Sequence, residues 1–199
     1  MAVRVIFAAV LSAALMFFWG FVFWGPVLNM TAKLMSPLTE NVELDVIAPL
    51  RGAQTPDGMY VYPGPLKDQG DQAAFDAWTK KVEAGPLLHL AYRQHGVSPM
   101  DPMMFAKGLA HSFLIALLCG GLLAMVAHAL PSYASRVVLL SLVSLIAALW
   151  TNFGDVIWWF HTPQYAAGQI VYTVVAGLLM ALVTAAIVKP RAAAPLTNN

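Results

Sequence analysis

Residues 5–32, 108–134, 137–154 and 156–188 contain no Asp, Glu, Lys or Arg. Nothing else in the chain limits its fold so sharply. A helix needs ~17–25 predominantly apolar residues to cross a hydrocarbon layer ~30 Å thick, and each stretch meets that length. Inside lipid the backbone must satisfy its own hydrogen bonds, and at this segment length the α-helix is the structure that does so. Composition points the same way. Of 199 residues, 59% are hydrophobic and 11% charged, too few polar side chains to cover a soluble globule. The reading is therefore a membrane all-α fold with four transmembrane helices, at about 4–25, 105–129, 136–158 and 165–188.

The first apolar stretch is longer than the ~7–15-residue core of a secretory signal, and no small-x-small cleavage site follows FFWGFVFWGPVLN, so we expect an uncleaved anchor. With alternating helices, Arg4, Arg136, Lys189 and Arg191 share one side, while the loop HTPQYAAGQ has no Lys or Arg. The positive-inside bias then places both termini in the cytoplasm and residues 26–104 outside, most simply in the periplasm beside a bacterial inner membrane. Trp19, Phe21, Phe23 and Trp24 close the first span, and Trp158, Trp159 and Phe160 the third, as an aromatic belt at the outer interface would.

The domain organisation follows: span one at 1–25, an external insertion at 26–104, spans two to four at 105–188 and a loose tail at 189–199. The insertion holds nine of the ten acidic residues against six Lys or Arg, a formal charge of −3. That balance suits a solvated face and excludes a nucleic-acid or anionic-lipid binder. Within it, TENVELDVIAPLRG predicts a short helix capped by Thr39 and ending near Pro49. DGMYVYPGP predicts a turn and a strand with Met59 and Val61 on one face, Tyr60 and Tyr62 on the other, and Pro63 as the stop. DQAAFDAWTKKVEAGP predicts a helix capped by Asp71, with Phe75, Trp78 and Val82 on its apolar side and Gly85-Pro86 as terminator. LLHLAYR is a second strand, so the expected product is a small α/β cap between spans one and two. So short a cap buries little area by itself and needs helix ends, the bilayer surface or another subunit beneath it.

FFWGFVFWGP, NVELDVIAPLRGAQTPDGMYVYPGP, LLHLAYR and SPMDPMMFAKGL together resemble a group of uncharacterised small bacterial inner-membrane proteins with four helices and a periplasmic insertion after the first span. The resemblance covers the first two-thirds of the chain. It implies the same architecture and brings no catalytic residues.

Small residues recur every fourth position on span two, at Gly108, Ser112, Ala116, Gly120, Ala124 and then His128, and on span four at Thr173, Gly177, Ala181 and Ala185. Such stripes let helix backbones approach closely where lipid provides no hydrophobic drive for association. Span three offers Ser141, Ser144, Ala148 and Asn152 on a related face. Packing within the chain and a surface for another membrane subunit both fit.

Counting inward from the outer ends, His111 on span two, Asn152 and Asp155 on span three, and Gln169 and Tyr172 on span four fall in one layer, with Lys107 one turn outside His111 on the same helix face. A carboxylate near lipid is costly unless paired or wet, so Asp155 should face the bundle, with Lys107 or His111 as its partner. The layer reads either as a polar clasp between helices or as a proton, ion or small-ligand site opening outward.

Few other residues point to chemistry. His111 and His161 at similar depth could hold a haem between them, but no CxxCH motif is present and His161 lies in a loop, so no cofactor is predicted. His89 and His95 lack a third clear ligand, and no metal is predicted. Cys119 has no partner for a disulfide and fills a helix contact. There is no Walker loop, GxGxxG, HExxH or GxSxG, so the chain is read as non-catalytic. Nor do inverted repeats or broken spans suggest a transporter. The expectation is an accessory subunit of a larger inner-membrane complex, whose partners are the bilayer and other membrane subunits and not nucleic acid. The alternative is a stand-alone protein holding a quinone, lipid, haem or ion, or relaying protons, at the layer around Asp155.

Overall fold

The computed structural model describes residues 1–190, so the expected tail lies outside the described residues from Arg191 onward. The described residues are mostly helical and include four helices long and apolar enough to cross a membrane. In order, the elements are α1 (Ala2–Trp24), α2 (Met30–Leu34), α3 (Glu40–Gly52), β1 (Gly58–Tyr62), α4 (Gln72–Ala84), β2 (Leu88–Tyr92), α5 (Pro102–Val126) with a 3-10 turn at Ala127–Ala129, α6 (Tyr133–Trp158) and α7 (Pro163–Ile187). The four long helices begin and end within about three residues of the expected spans. Pro102 and Pro163 open α5 and α7, where a missing N–H costs nothing, and Asp101 and Thr162 accept from Met103 and Tyr165 as caps.

Contacts divide the chain into two compact units, residues 36–99 with 157–160, and the remainder. In the helical unit α1 packs against both α5 and α7. Each pairing is antiparallel: a Cβ added at Gly108 would meet Phe17, and one at Gly120 would meet Val5, while Ser12 bonds Thr184 and Tyr172 stacks on Phe23. Helix α6 joins beside α7, antiparallel again, with Ser144 against Gly177 and Arg136 against Ala185. The N-termini of α1 and α6 and the C-termini of α5 and α7 consequently share one end of the bundle. The core there is built from Val5, Ala8, Ala9, Ala116, Leu123, Leu140, Met180, Ala181 and Val188. Its many alanines are the packing solution of helices that approach closely instead of interlocking large side chains.

The small-residue stripes are spent on this packing. Ala116 and Gly120 of α5 and Gly177, Ala181 and Ala185 of α7 are buried, while Gly108, Ser112, Ala124 and Thr173 are half-buried. A Cβ on Gly177 would overlap the Ser144 side chain, so glycine is required there for the approach of α6 to α7. Ser112 returns its hydroxyl to the Gly108 carbonyl at 3.1 Å, and Ser144 to Leu140 at 3.0 Å, which satisfies both inside their own helices.

The other unit contains α3, α4 and a two-stranded antiparallel sheet, β1–β2, in which Met59 faces Ala91 and Val61 faces His89. Asp57 ties its open end, accepting from the Gln94 N–H at 2.7 Å and lying 3.9 Å from Arg93. Asp71 caps α4 through Ala74 N–H, and Gly85, at φ 61°, ends it. Helix α3 departs from expectation, for it runs through Pro49 to Gly52, and Thr39 at its N-cap makes no side-chain hydrogen bond. Proline in the last turn forfeits one backbone hydrogen bond without breaking the preceding turns. Residues 26–35, expected in the insertion, belong to the helical unit, because α2 packs on α7 with Leu34 against Gly168.

Candidate functional site

The expected polar layer is only partly assembled. Asp155, in the last turn of α6, is paired with His161, its Oδ2 3.9 Å from the imidazole Nδ1. Neither Lys107 nor His111 forms the expected pair with it; both are exposed on α5. The correction has a backbone cause. Phe160 takes a left-handed conformation, φ 57°, and turns the chain back so that the His161 N–H bonds the Asp155 carbonyl at 3.1 Å. This wide turn, spanning seven residues from Asp155 to His161, returns the imidazole to the carboxylate. Helix packing separates the other candidates, since α1 lies against both α5 and α7 while α6 is built beside α7.

From His161 the polar groups continue along α7. The Tyr165 ring meets His161 edge-on at 6.0 Å, and its hydroxyl accepts from Gln169 Nε2 at 2.7 Å. Tyr172, one turn further, belongs to a different set. Its ring packs among Phe23 and Trp24 of α1, at 5.4 and 5.5 Å, and its carbonyl accepts from Trp19 Nε1 at 3.1 Å. The aromatic end of α1 thus turns partly inward, with Phe23 buried and Trp19 and Trp24 half-buried, while Phe21 stays outside as an interfacial residue would. Asn152 gives its Nδ2 to Ala148 of its own helix at 2.8 Å. The connected group is therefore Asp155, His161, Tyr165 and Gln169. Asp155 and His161 keep about a third of their side-chain surface open, 36% and 30%, so hydration as well as pairing makes the carboxylate tolerable.

Two polar features escaped sequence reading. Ser12 and Thr184 are fully buried between α1 and α7, their hydroxyls 3.1 Å apart, with Ser12 also 3.5 Å from the Met180 carbonyl. Ser12 is the lone hydroxyl residue of α1, and that isolation was the available signal. Arg136, taken only as a topological marker, is 4% exposed. Its Nε donates to Ala185 O at 3.2 Å in the last turn of α7, and its Nη1 to Leu130 and Pro131 O at 3.0 and 2.8 Å beyond α5. One guanidinium thereby serves two helix C-termini, where partial negative charge favours a cation.

His89 stacks on Trp159, while His95 is exposed, and among the described residues no group of three His, Cys, Asp or Glu side chains could hold a metal ion. An open groove of about 440 Å³ lies between the segment 62–68 and α4, edged by Lys67, Asp68, Asp71 and Lys81 with Trp78 behind them. Trp78 Nε1 is covered and without a hydrogen-bond partner among the described residues. Mixed charge and exposure give the groove no preference for one ligand chemistry. Compared with protein-family models, curated proteins and solved structures, the chain matches none.

Proposed function

We propose that the protein is a non-catalytic accessory subunit of an inner-membrane assembly, with its termini in the cytoplasm and residues 36–99 in the periplasm. The observation that carries this reading is the makeup of the insertion. Among residues 36–99 only Tyr92 is buried, while Val42, Leu44, Phe75, Leu88 and Val97 stay exposed. A soluble domain is held together by an apolar core, and this one has almost none. Its exposed apolar side chains on α3 and α4 need a protein surface to cover them. The orientation is supported by Arg4, Arg136 and Lys189 at one end of the bundle. The small-residue stripes are engaged within the chain, so the insertion becomes the main docking element.

Limited proteolysis tests this directly. Residues 36–99 should resist cleavage in native membranes and be cut readily in the purified chain reconstituted in lipid nanodiscs. Equal resistance in a reconstituted monomer refutes the accessory role. The second reading, a proton or small-ligand site, is favoured by the Asp155–His161–Tyr165–Gln169 connection. Under it, Asp155→Asn abolishes proton uptake or ligand retention while the fold persists; unchanged retention removes it.

A further inference from the structure

Residues 157–160 cluster with the insertion although Ile157 and Trp158 are the last residues of α6. The end of a helix long enough to span the membrane is thus part of the insertion unit. The join is ring on ring, His89 stacked on Trp159 with centroids 5.3 Å apart and planes 22° from parallel. Because His89 lies opposite Val61, and Ala91 opposite Met59, these four side chains share one face of the sheet. No side chain of that face is fully buried. Met59 is 63% exposed there and Val61 is exposed too, with His89 half-buried against Trp159; the opposite face carries half-buried Tyr60 and Leu90 and buried Tyr92 at its centre and exposed Tyr62 and Leu88 at one end. No Asp, Glu, Lys or Arg occurs among Met59, Val61, His89, Ala91 and residues 157–160.

Phe160 adds an independent sign. A left-handed position just past a helix end favours glycine, because a Cβ crowds that backbone. Here it holds phenylalanine, with the ring exposed beside exposed Trp158 and Trp159. The turn is offset by the His161–Asp155 contacts, while the bared ring stays exposed. Water is a poor surrounding for such a group, and the boundary between head groups and acyl chains is a good one.

The geometry points to a lipid-contacting face on the insertion: Met59, Val61 and His89, continuous with Trp158, Trp159 and Phe160, enter the interfacial layer of the bilayer. The occupant is lipid and not protein, because the patch grows out of the end of α6 and carries no charge, unlike α3 and α4, whose exposed apolar residues alternate with charged ones. This goes beyond the accessory role and shares only its premise that α6 spans the membrane.

Spin-label accessibility tests it. Full-length chains carrying Cys119→Ser receive single cysteines at Met59, Val61, Leu88 or Ile146 and are studied in phosphatidylcholine–phosphatidylglycerol nanodiscs; Cys119→Ala provides a second background. Leu88 lies on the opposite face and Ile146 is exposed midway along α6. Expected are high ratios of oxygen to nickel-chelate collisions at 59, 61 and 146 and a low ratio at 88. Values at 59 and 61 matching 88, with 146 still in lipid, overturn the proposal. So does shielding of 59 and 61 from both reagents, which means a protein surface covers them. Nickel access at 146 instead overturns the membrane premise itself.

Discussion

Arg136→Met retains most of the buried stem of Arg136 and removes all its donors. Three hydrogen bonds from a charged group disappear, to Ala185, Leu130 and Pro131. At ~1.5 kcal/mol each, the low end for charge-assisted bonds, the loss is about 4–5 kcal/mol. Water reaching the freed carbonyls at the bundle end recovers some of this, so about 3 kcal/mol should remain. Arg136→Lys keeps the charge but cannot fork between two helix ends, and should fall near half that loss. Reversible unfolding in mixed micelles, titrated with a denaturing detergent, reads both values. Removing Arg136 also removes a topological charge, so the control is Arg136→Met with Ala134→Arg, which restores a cation at an exposed neighbour. Rescue by this double variant, or a loss below about 0.5 kcal/mol for Arg136→Met, refutes the staple and leaves only the topological role.

Gly177→Ala should destabilise strongly, because its Cβ overlaps Ser144, whereas Gly121→Ala, with open space around it, should unfold at or above the native midpoint. A double-mutant cycle on Ser12→Ala and Thr184→Val should give a coupling of about 0.6 kcal/mol, at most ~1.7, as measured in micelle unfolding; a coupling of zero denies the interhelical bond. His161→Ala should change stability by about 0–1 kcal/mol, since the pair with Asp155 is long and partly exposed, and a larger loss by the same assay would mean the pair is a stronger clasp than its geometry allows. Phe160→Gly should raise the unfolding midpoint in detergent micelles by relieving a left-handed phenylalanine worth ~1–2 kcal/mol; a lowered midpoint would show that the ring contributes more than the strain costs.

Periodic signals were legible from the residues, and irregular ones were not. Charge-free runs placed the four long helices to within a few residues, and both strands were expected, with the faces of β1 assigned correctly by alternation. Asp71 and Gly85 marked both ends of α4 because capping is local chemistry. Pro49 misled, since its effect depends on how many turns remain after it. The partner of Asp155 was hidden by a single dihedral at Phe160, where a residue rarely found in that conformation concealed a helix reversal. Neither depth nor facing could be counted across helices. Counting puts Lys107 and His111 near the level of Asp155, yet Gly108 packs on Phe17 and Gly177 on Ser144, which sets both deeper along the bundle, and their side chains stay exposed on α5.

The position of α1 bears on how the molecule is made. Its Ser12 meets Thr184, 172 residues later, and its Val5 and Phe17 meet Gly120 and Gly108. The small and polar face of α1 therefore stays unmatched until α7 has been synthesised. The α1–α7 contact forms late in synthesis relative to the helices between them. A chain lacking α7 leaves Ser12 and the alanine face of α1 without their neighbour.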